Sequence, residues 1–207
     1  MIKITVVSRN DAINNVEYPL KEKTAIISIY NTTQTPVRFP NDMNIIGVCY
    51  LMFEDVDASQ DFCMEPEQGK EIRSFLKEVG PLINRLLIHC NFGFCRSAAV
   101  AAAILAATMG SGDIILKNEN LSPNMHVYNI VLNELVDKDG RLTIQNDLEF
   151  EYEDKHIVIA PTIQVLTEGT GNEETETKFS YDEDTEISSF KLYRLINGVK
   201  KYLTIDS

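Results

Sequence analysis

The sequence predicts an α/β fold built on a mostly parallel central sheet, and three observations point there. Short β-branched runs alternate with stretches of helical periodicity from the N-terminus to about residue 136. The longest apolar run, Ala98 to Met109, is mostly alanine and reads as a helix packed closely against a sheet. After about Gly140 the composition turns acidic and the alternation stops, so the core is expected to end there.

The elements follow in order. "IKITVV" (Ile2–Val7) and "TAIISIY" (Thr24–Tyr30) are short, β-branched and bounded by polar turns, which predicts two strands. "NIIGVCYLMF" (Asn44–Phe53) predicts a third and Leu86–His89 a fourth. Between the last two, Ile72, Phe75, Leu76 and Val79 recur at helical spacing, and Gly80-Pro81 closes that helix. A second helix follows Arg96 and ends near Gly110. A third is expected over Asn124–Val136, where Val127, Ile130, Val131 and Leu135 share one face.

Two domains are expected: an α/β domain over 1–146 and an acidic, β-rich appendage over 147–207. Residues 147–207 hold 14 acidic and 6 basic side chains, so 14 − 6 leaves −8 of the whole chain's −12. Within that part "EFEYEDKHIVIAPTIQVL" predicts strand, turn and strand, and "GTGNEETETKFSYDEDTE" an acidic loop. Asn197-Gly198 between two alternating apolar runs is the signature of a type I′ hairpin.

Composition narrows the function. With 44% hydrophobic and 24% charged residues, the chain is an ordinary globular one. A net charge of −12 argues against a general nucleic-acid surface or an anionic membrane as partner, while a local basic pocket stays open. Cys49, Cys63, Cys90 and Cys95 form neither paired CxxC motifs nor a cluster with histidine, so no metal and no cofactor are expected. "MIKITVVSRNDA" has no apolar segment with a cleavage site, and the alanine run is too short to span a bilayer. The expectation is a reduced, cytoplasmic protein.

The chemistry concentrates in "LLIHCNFGFCRSAAV". A strand delivers His89 and Cys90, five residues intervene, and a helix starts at Arg96. Such a strand–loop–helix turn sets a sulfur over backbone N–H groups and a helix N-terminus, which together suit a tetrahedral oxyanion. Gly93 lets the loop turn its amides inward, and the Arg96 fork can hold two oxygens at once. Positive surroundings favour thiolate, the attacking form of cysteine. Ser97 is placed to hydrogen-bond the sulfur and improve it as a leaving group, and His89 to orient the loop.

"IHCNFGFCRS" matches the HCxxGxxRS signature and resembles the cysteine-dependent tyrosine and dual-specificity phosphatases, with His89, Cys90, Gly93, Arg96 and Ser97 at the expected spacings. The resemblance extends over roughly Met1–Val136, including "IISIYN", "LMFEDVD" and "LSPNMHVYNIVLNEL", and is nearest to the compact members found in bacteria and their phages. One departure is Cys95, where the family more often has a small non-thiol residue. Low-molecular-weight phosphatases carry this loop near the N-terminus with a later Asp-Pro, which this chain lacks, and rhodanese-like transferases usually have a shorter loop.

The resemblance implies a phosphomonoester hydrolase working through a phosphocysteine on Cys90, with Asn91, Phe92, Gly93, Phe94, Cys95 and Arg96 holding the phosphate. It also implies an aspartate acid some thirty residues upstream, and "FEDVDASQDF" offers Asp55, Asp57 and Asp61. Asp55 directly follows a strand and is preferred; Asp57 is next, and Asp61 reads as a solvated turn residue. The expected partner is a phosphorylated protein or a small phosphomonoester, without nucleic acid or membrane. The alternatives are an RNA 5′-triphosphatase, which the acidic balance disfavours, and a non-catalytic phosphate-binding module, against which the intact Cys90, Arg96 and Ser97 argue. Cys49 and Cys63 read as packing residues, His126 and His156 as isolated, and Asn124 as a cap or a brace for the loop. Cys95 is either a redox partner of Cys90 or a thiol pointing away from it.

Overall fold

The computed structural model describes residues 1–14, 19–136, 148–153, 192–196 and 199–203. Five parallel strands make the central sheet: β1 (Ile2–Ser8), β2 (Thr24–Tyr30), β3 (Ile45–Met52), β4 (Arg85–Cys90) and β5 (Phe150–Glu153), in the spatial order β3-β2-β4-β1-β5. The helices are α1 (Arg9–Asn14), α2 (Pro66–Val79), α3 (Arg96–Met109), α4 (Asp113–Leu116) and α5 (Met125–Leu135). This is the expected α/β architecture.

An all-parallel sheet must be covered on both faces, and the strand sequences show it by being apolar at successive positions. In β4, Leu86 and Ile88 join the large core with Ile72 and Leu76 of α2, the α3 alanines, and Val127 and Val131 of α5. Leu87 points the other way, onto Val7, Ile26 and Ala12 of α1, with Phe39, Ile45 and Val48 packed beside them. The alanines let α3 lie close: every residue from Arg96 to Leu105 is buried. Gly110 ends that helix in the left-handed conformation (φ 79°), its N–H bonded to the Ala106 carbonyl.

Two short helices go beyond the sequence reading. The six residues of α1 bury only Ala12, and α4 spans four residues, so neither carries a full helical period. Gly80-Pro81 does close α2, through a 3₁₀ turn over Gly80–Leu82.

The chain divides into two compact units, Met1–Ile157 and Val158–Ser207. The first runs past the expected boundary at 146, because β5 pairs in parallel with β1, setting Ile2 opposite Phe150 and Thr5 opposite Glu153. Phe150 is fully buried, and Leu148 lies so close to Gly80 that a Cβ there would meet its Cδ1 at 2.5 Å. An alternating acidic strand at a sheet edge looks like tail in one dimension, yet its apolar side completes the core. In the second unit β6 (Leu192–Ile196) and β7 (Val199–Leu203) pair antiparallel with Ile196 opposite Val199, as a hairpin requires. The Asn197-Gly198 turn, the second strand expected before residue 166 and the acidic loop lie outside the described residues. Among the described residues no helix is long and apolar enough to cross a membrane.

Ending the chain at 146 removes β5, Leu148 and Phe150, and should abolish the cooperative thermal transition seen by circular dichroism. Ending it after Ile157 should preserve that transition. A 1–146 fragment that melts as sharply as the 1–157 fragment would place β5 outside the core.

Candidate active site

In a parallel sheet every strand ends at the same edge, and here that edge collects the polar residues. β4 finishes at Cys90, which is buried, and Arg96 opens α3 after a five-residue loop. Gly93 adopts φ +87°, the left-handed region that favours glycine, and a Cβ on it would sit 2.7 Å from the Ser8 nitrogen and 2.8 Å from the Val7 carbonyl carbon. The loop is thus pressed against the end of β1, where only glycine fits.

Three of the loop's carbonyls, those of Asn91, Phe94 and Cys95, are taken by donors outside it. Arg9 N–H donates to the Asn91 carbonyl (3.2 Å) and Ser122 N–H to that of Phe94 (3.0 Å). The Cys95 carbonyl accepts from Ala99 (2.9 Å) and from Asn124 (3.4 Å). Across a trans peptide the N–H points opposite to the C=O. The N–H groups of Phe92, Cys95 and Arg96 are therefore turned away from those outer partners. Gly93 N–H donates to Cys90 Sγ at 3.3 Å, and Ser97 Oγ lies 3.1 Å from the same sulfur. No side chain caps the N-terminus of α3, so its first amides have no side-chain acceptor.

Arg96 is only 2% exposed. Nη1 donates to the Phe53 carbonyl (2.6 Å), Nη2 to Asn31 Oδ1 (2.7 Å), and the guanidinium carbon sits 5.9 Å from the centre of the Phe53 ring. Nε is buried without a protein acceptor. Asn31 itself is held by Gln34, whose Oε1 accepts from Asn31 N–H (3.2 Å) while its Nε2 donates to Asn91 Oδ1 (3.0 Å). Hydrogen bonds from the Thr32 hydroxyl and backbone hold the neighbouring Glu54 carboxyl below its ordinary range; partial burial opposes them and the Arg96 charge assists.

Asp55 reaches the loop through Asn124. Asn124 Nδ2 donates to Asp55 Oδ1 (2.9 Å) and to the Val56 carbonyl (3.2 Å), and its Oδ1 caps α5 by accepting from Val127 N–H (3.1 Å). With its backbone N–H on Cys95, Asn124 is both cap and brace. The Cys95 thiol is pushed up to about 12, first by burial, then by its hydrogen bond to Asp55 and the charges of Asp55 and Cys90, against the pull of Arg96. Asp57 and Asp61 are exposed, and the Asp57 carbonyl closes a turn with Gln60.

Cys90 and Cys95 are both free thiols. Cys49 is half-buried in β3, its thiol pushed up to about 12 by burial and by Glu71, and Cys63 is half-buried near the start of α2. His126 bonds the Met64 carbonyl at 2.9 Å, and His156 lies outside the described residues. Among the described residues no three His, Cys, Asp or Glu side chains are grouped to hold a metal. The sequence reading passed over Asn31, Gln34 and the Phe53 carbonyl. Their one signal was position: each follows a strand at the edge where Cys90 emerges.

His89 lies under the loop, its Nε2 2.8 Å from Ser28 Oγ in β2 and its ring edge-on to Phe39 at 6.0 Å. Burial, then the Arg9 charge, push its pKa down from 6.5 to about 4, with the Cys90 backbone acting the other way. Between those values the unfolded chain binds the proton and the folded one does not. Stability from this group is therefore complete above pH 6.5 and is lost as pH falls toward 4, by up to about 3 kcal/mol. His89→Gln should flatten the fall in urea-denaturation stability between pH 7 and 4. An identical pH dependence in the variant would mean His89 titrates normally.

No protein-family model matches the sequence, and no curated protein matches it. Among solved structures the chain is similar to the human tyrosine phosphatase-like serine/threonine/tyrosine-interacting protein. The two share 18% identity over 61% of this chain and 86% of that one, with a TM-score of 0.49.

Proposed function

We propose that this protein hydrolyses phosphomonoesters through a phosphocysteine formed on Cys90. The observation that carries the reading is Arg96: a buried guanidinium with two nitrogens fixed by Phe53 and Asn31 and a third, Nε, lacking an acceptor beside an amide-lined loop. A buried donor without a partner is costly, and a tetrahedral oxyanion would satisfy it together with the loop amides. Nε–H and one Nη–H share an edge of the guanidinium, so the contact would be side-on and bidentate.

In this reading the loop amides and Arg96 bind the three terminal phosphate oxygens, and the Cys90 thiolate lies in line with the ester oxygen. Sulfur attacks phosphorus, the S–P bond forms as the P–O bond breaks, and Asp55 gives its proton to the departing oxygen. Water then attacks the phosphocysteine, with Asp55 taking its proton. The S–P pair returns to Cys90, where the Ser97 hydroxyl stabilises the leaving thiolate. The arginine fork tightens on the equatorial oxygens as the phosphoryl group flattens. Phe92, 52% exposed and stacked on Phe94 with ring centres 5.7 Å apart, gives the loop an apolar flank that suits an aryl phosphate.

Cys90→Ser should abolish turnover of an aryl phosphate while tungstate still binds, because the amides and Arg96 remain. Turnover near the wild-type rate in the serine variant would exclude the cysteine mechanism.

Asp55→Asn should lower kcat by roughly 10²–10⁴-fold for an alkyl or tyrosyl phosphate and far less for an activated phenol, which leaves without a proton. Asp57→Asn is the control and should stay near wild type for both. The leaving-group-dependent loss appearing at Asp57 instead would move the acid to that position.

A further inference from the structure

We propose that Gln34 is a positioning residue that ties the two ends of the Cys90 loop into the shape that holds the anion. The proposal rests on reading that loop as an oxyanion site. Asn91 is the first loop residue after the sulfur and Arg96 the residue that ends it. Gln34 is neither of them, yet one end of its amide is on Asn91 and the other on Asn31, the residue that takes Arg96. Nε2 donates to Asn91 Oδ1 at 3.0 Å, and Oε1 accepts from Asn31 N–H at 3.2 Å. Asn31 in turn takes Arg96 Nη2 at 2.7 Å. The loop closes this chain of contacts into a ring running Asn91, Gln34, Asn31, Arg96 and back.

Each link has a defined consequence. The Asn91 side chain is pinned while its carbonyl is held by Arg9 N–H, so the following peptide has one orientation and the Phe92 N–H one direction. Asn31 fixes the rotation of the guanidinium about its stem, and with it the edge that Nε presents. Gln34 is half-buried and sits outside the hydrophobic core, so its removal disturbs the ring more than the fold. Side chains joined in one hydrogen-bonded ring act as a unit, and breaking it at two points should cost little more than breaking it at one.

The test measures tungstate affinity by calorimetry on the full chain. Gln34→Ala and Gln34→Met should each weaken it roughly tenfold, since the methionine keeps length and stem but neither hydrogen bond. Thermal midpoints should stay within about 3 °C of wild type. Asn91→Ala should weaken binding by a similar factor, and Gln34→Ala with Asn91→Ala together by about tenfold, where independent effects would give about a hundredfold. The kcat/KM for an aryl phosphate should follow the affinity. Unchanged affinity in Gln34→Met, multiplying effects in the double variant, or a loss accompanied by a large fall in midpoint would each overturn the positioning role. Wild-type protein that binds no tungstate would overturn the anion-site reading itself and the proposal with it.

Discussion

The outward turn of the Asn91, Phe94 and Cys95 carbonyls in the loop between Cys90 and Arg96 is the constraint on which the site depends. Amides can converge on an anion only if their carbonyl partners are satisfied elsewhere, and here β1's exit and the segment before α5 supply the donors. Gly93 makes this possible from within, because its backbone packs where a side chain would strike Val7 and Ser8. The pairing of Ser8 with Cys90 in the sheet sets the distance across which the loop must reach. A one-residue slip of β1 against β4 would remove Arg9 N–H from the Asn91 carbonyl and release the first peptide of the loop.

How much was legible in the sequence depended on whether the signal was local. β2 was read to its ends because a β-branched run stands between polar turns, and α3 because alanines lead to a glycine that stops it. The relation of Cys90, Gly93, Arg96 and Ser97 was legible because spacing along one strand–loop–helix turn fixes distance in space. β5 was legible as a strand but its place in the central sheet was not, since its partner is β1 and nothing in "EFEYE" names that neighbour. Asn31 and Gln34 stayed hidden for the same reason. Crossovers that place β2 beside β4 bring them to the loop from about sixty residues away, as the separations of 65 and 57 residues show. Local pattern carries no such information.

A chain of net charge −12 that carries the proposed anion site looks contradictory until the ranges of the two effects are compared. Exposed charges are screened within about 8 Å at physiological ionic strength, whereas amide and guanidinium donors act at contact, and Arg96 is buried. Glu54 and Asp55 stand next to that site with their oxygens engaged by Thr32 and Asn124, which holds them in defined places. Net surface charge and the donors of the loop therefore act over different distances, and the first does not cancel the second.

The position of β1 between β4 and β5 has a consequence for how the protein is made. Lys3 must find Arg85 on one side and Glu151 on the other, so the strand emerging first is completed last. At synthesis rates of about 5–20 residues per second, its second edge stays open for roughly 7–30 s, until the residues of β5 leave the ribosome. Through that interval Ile2, Ile4 and Val6 lie on a strand with an unpaired edge, the kind of surface on which neighbouring nascent chains join. Slower translation of the segment between α5 and β5 would lengthen that exposure without altering one contact of the finished protein.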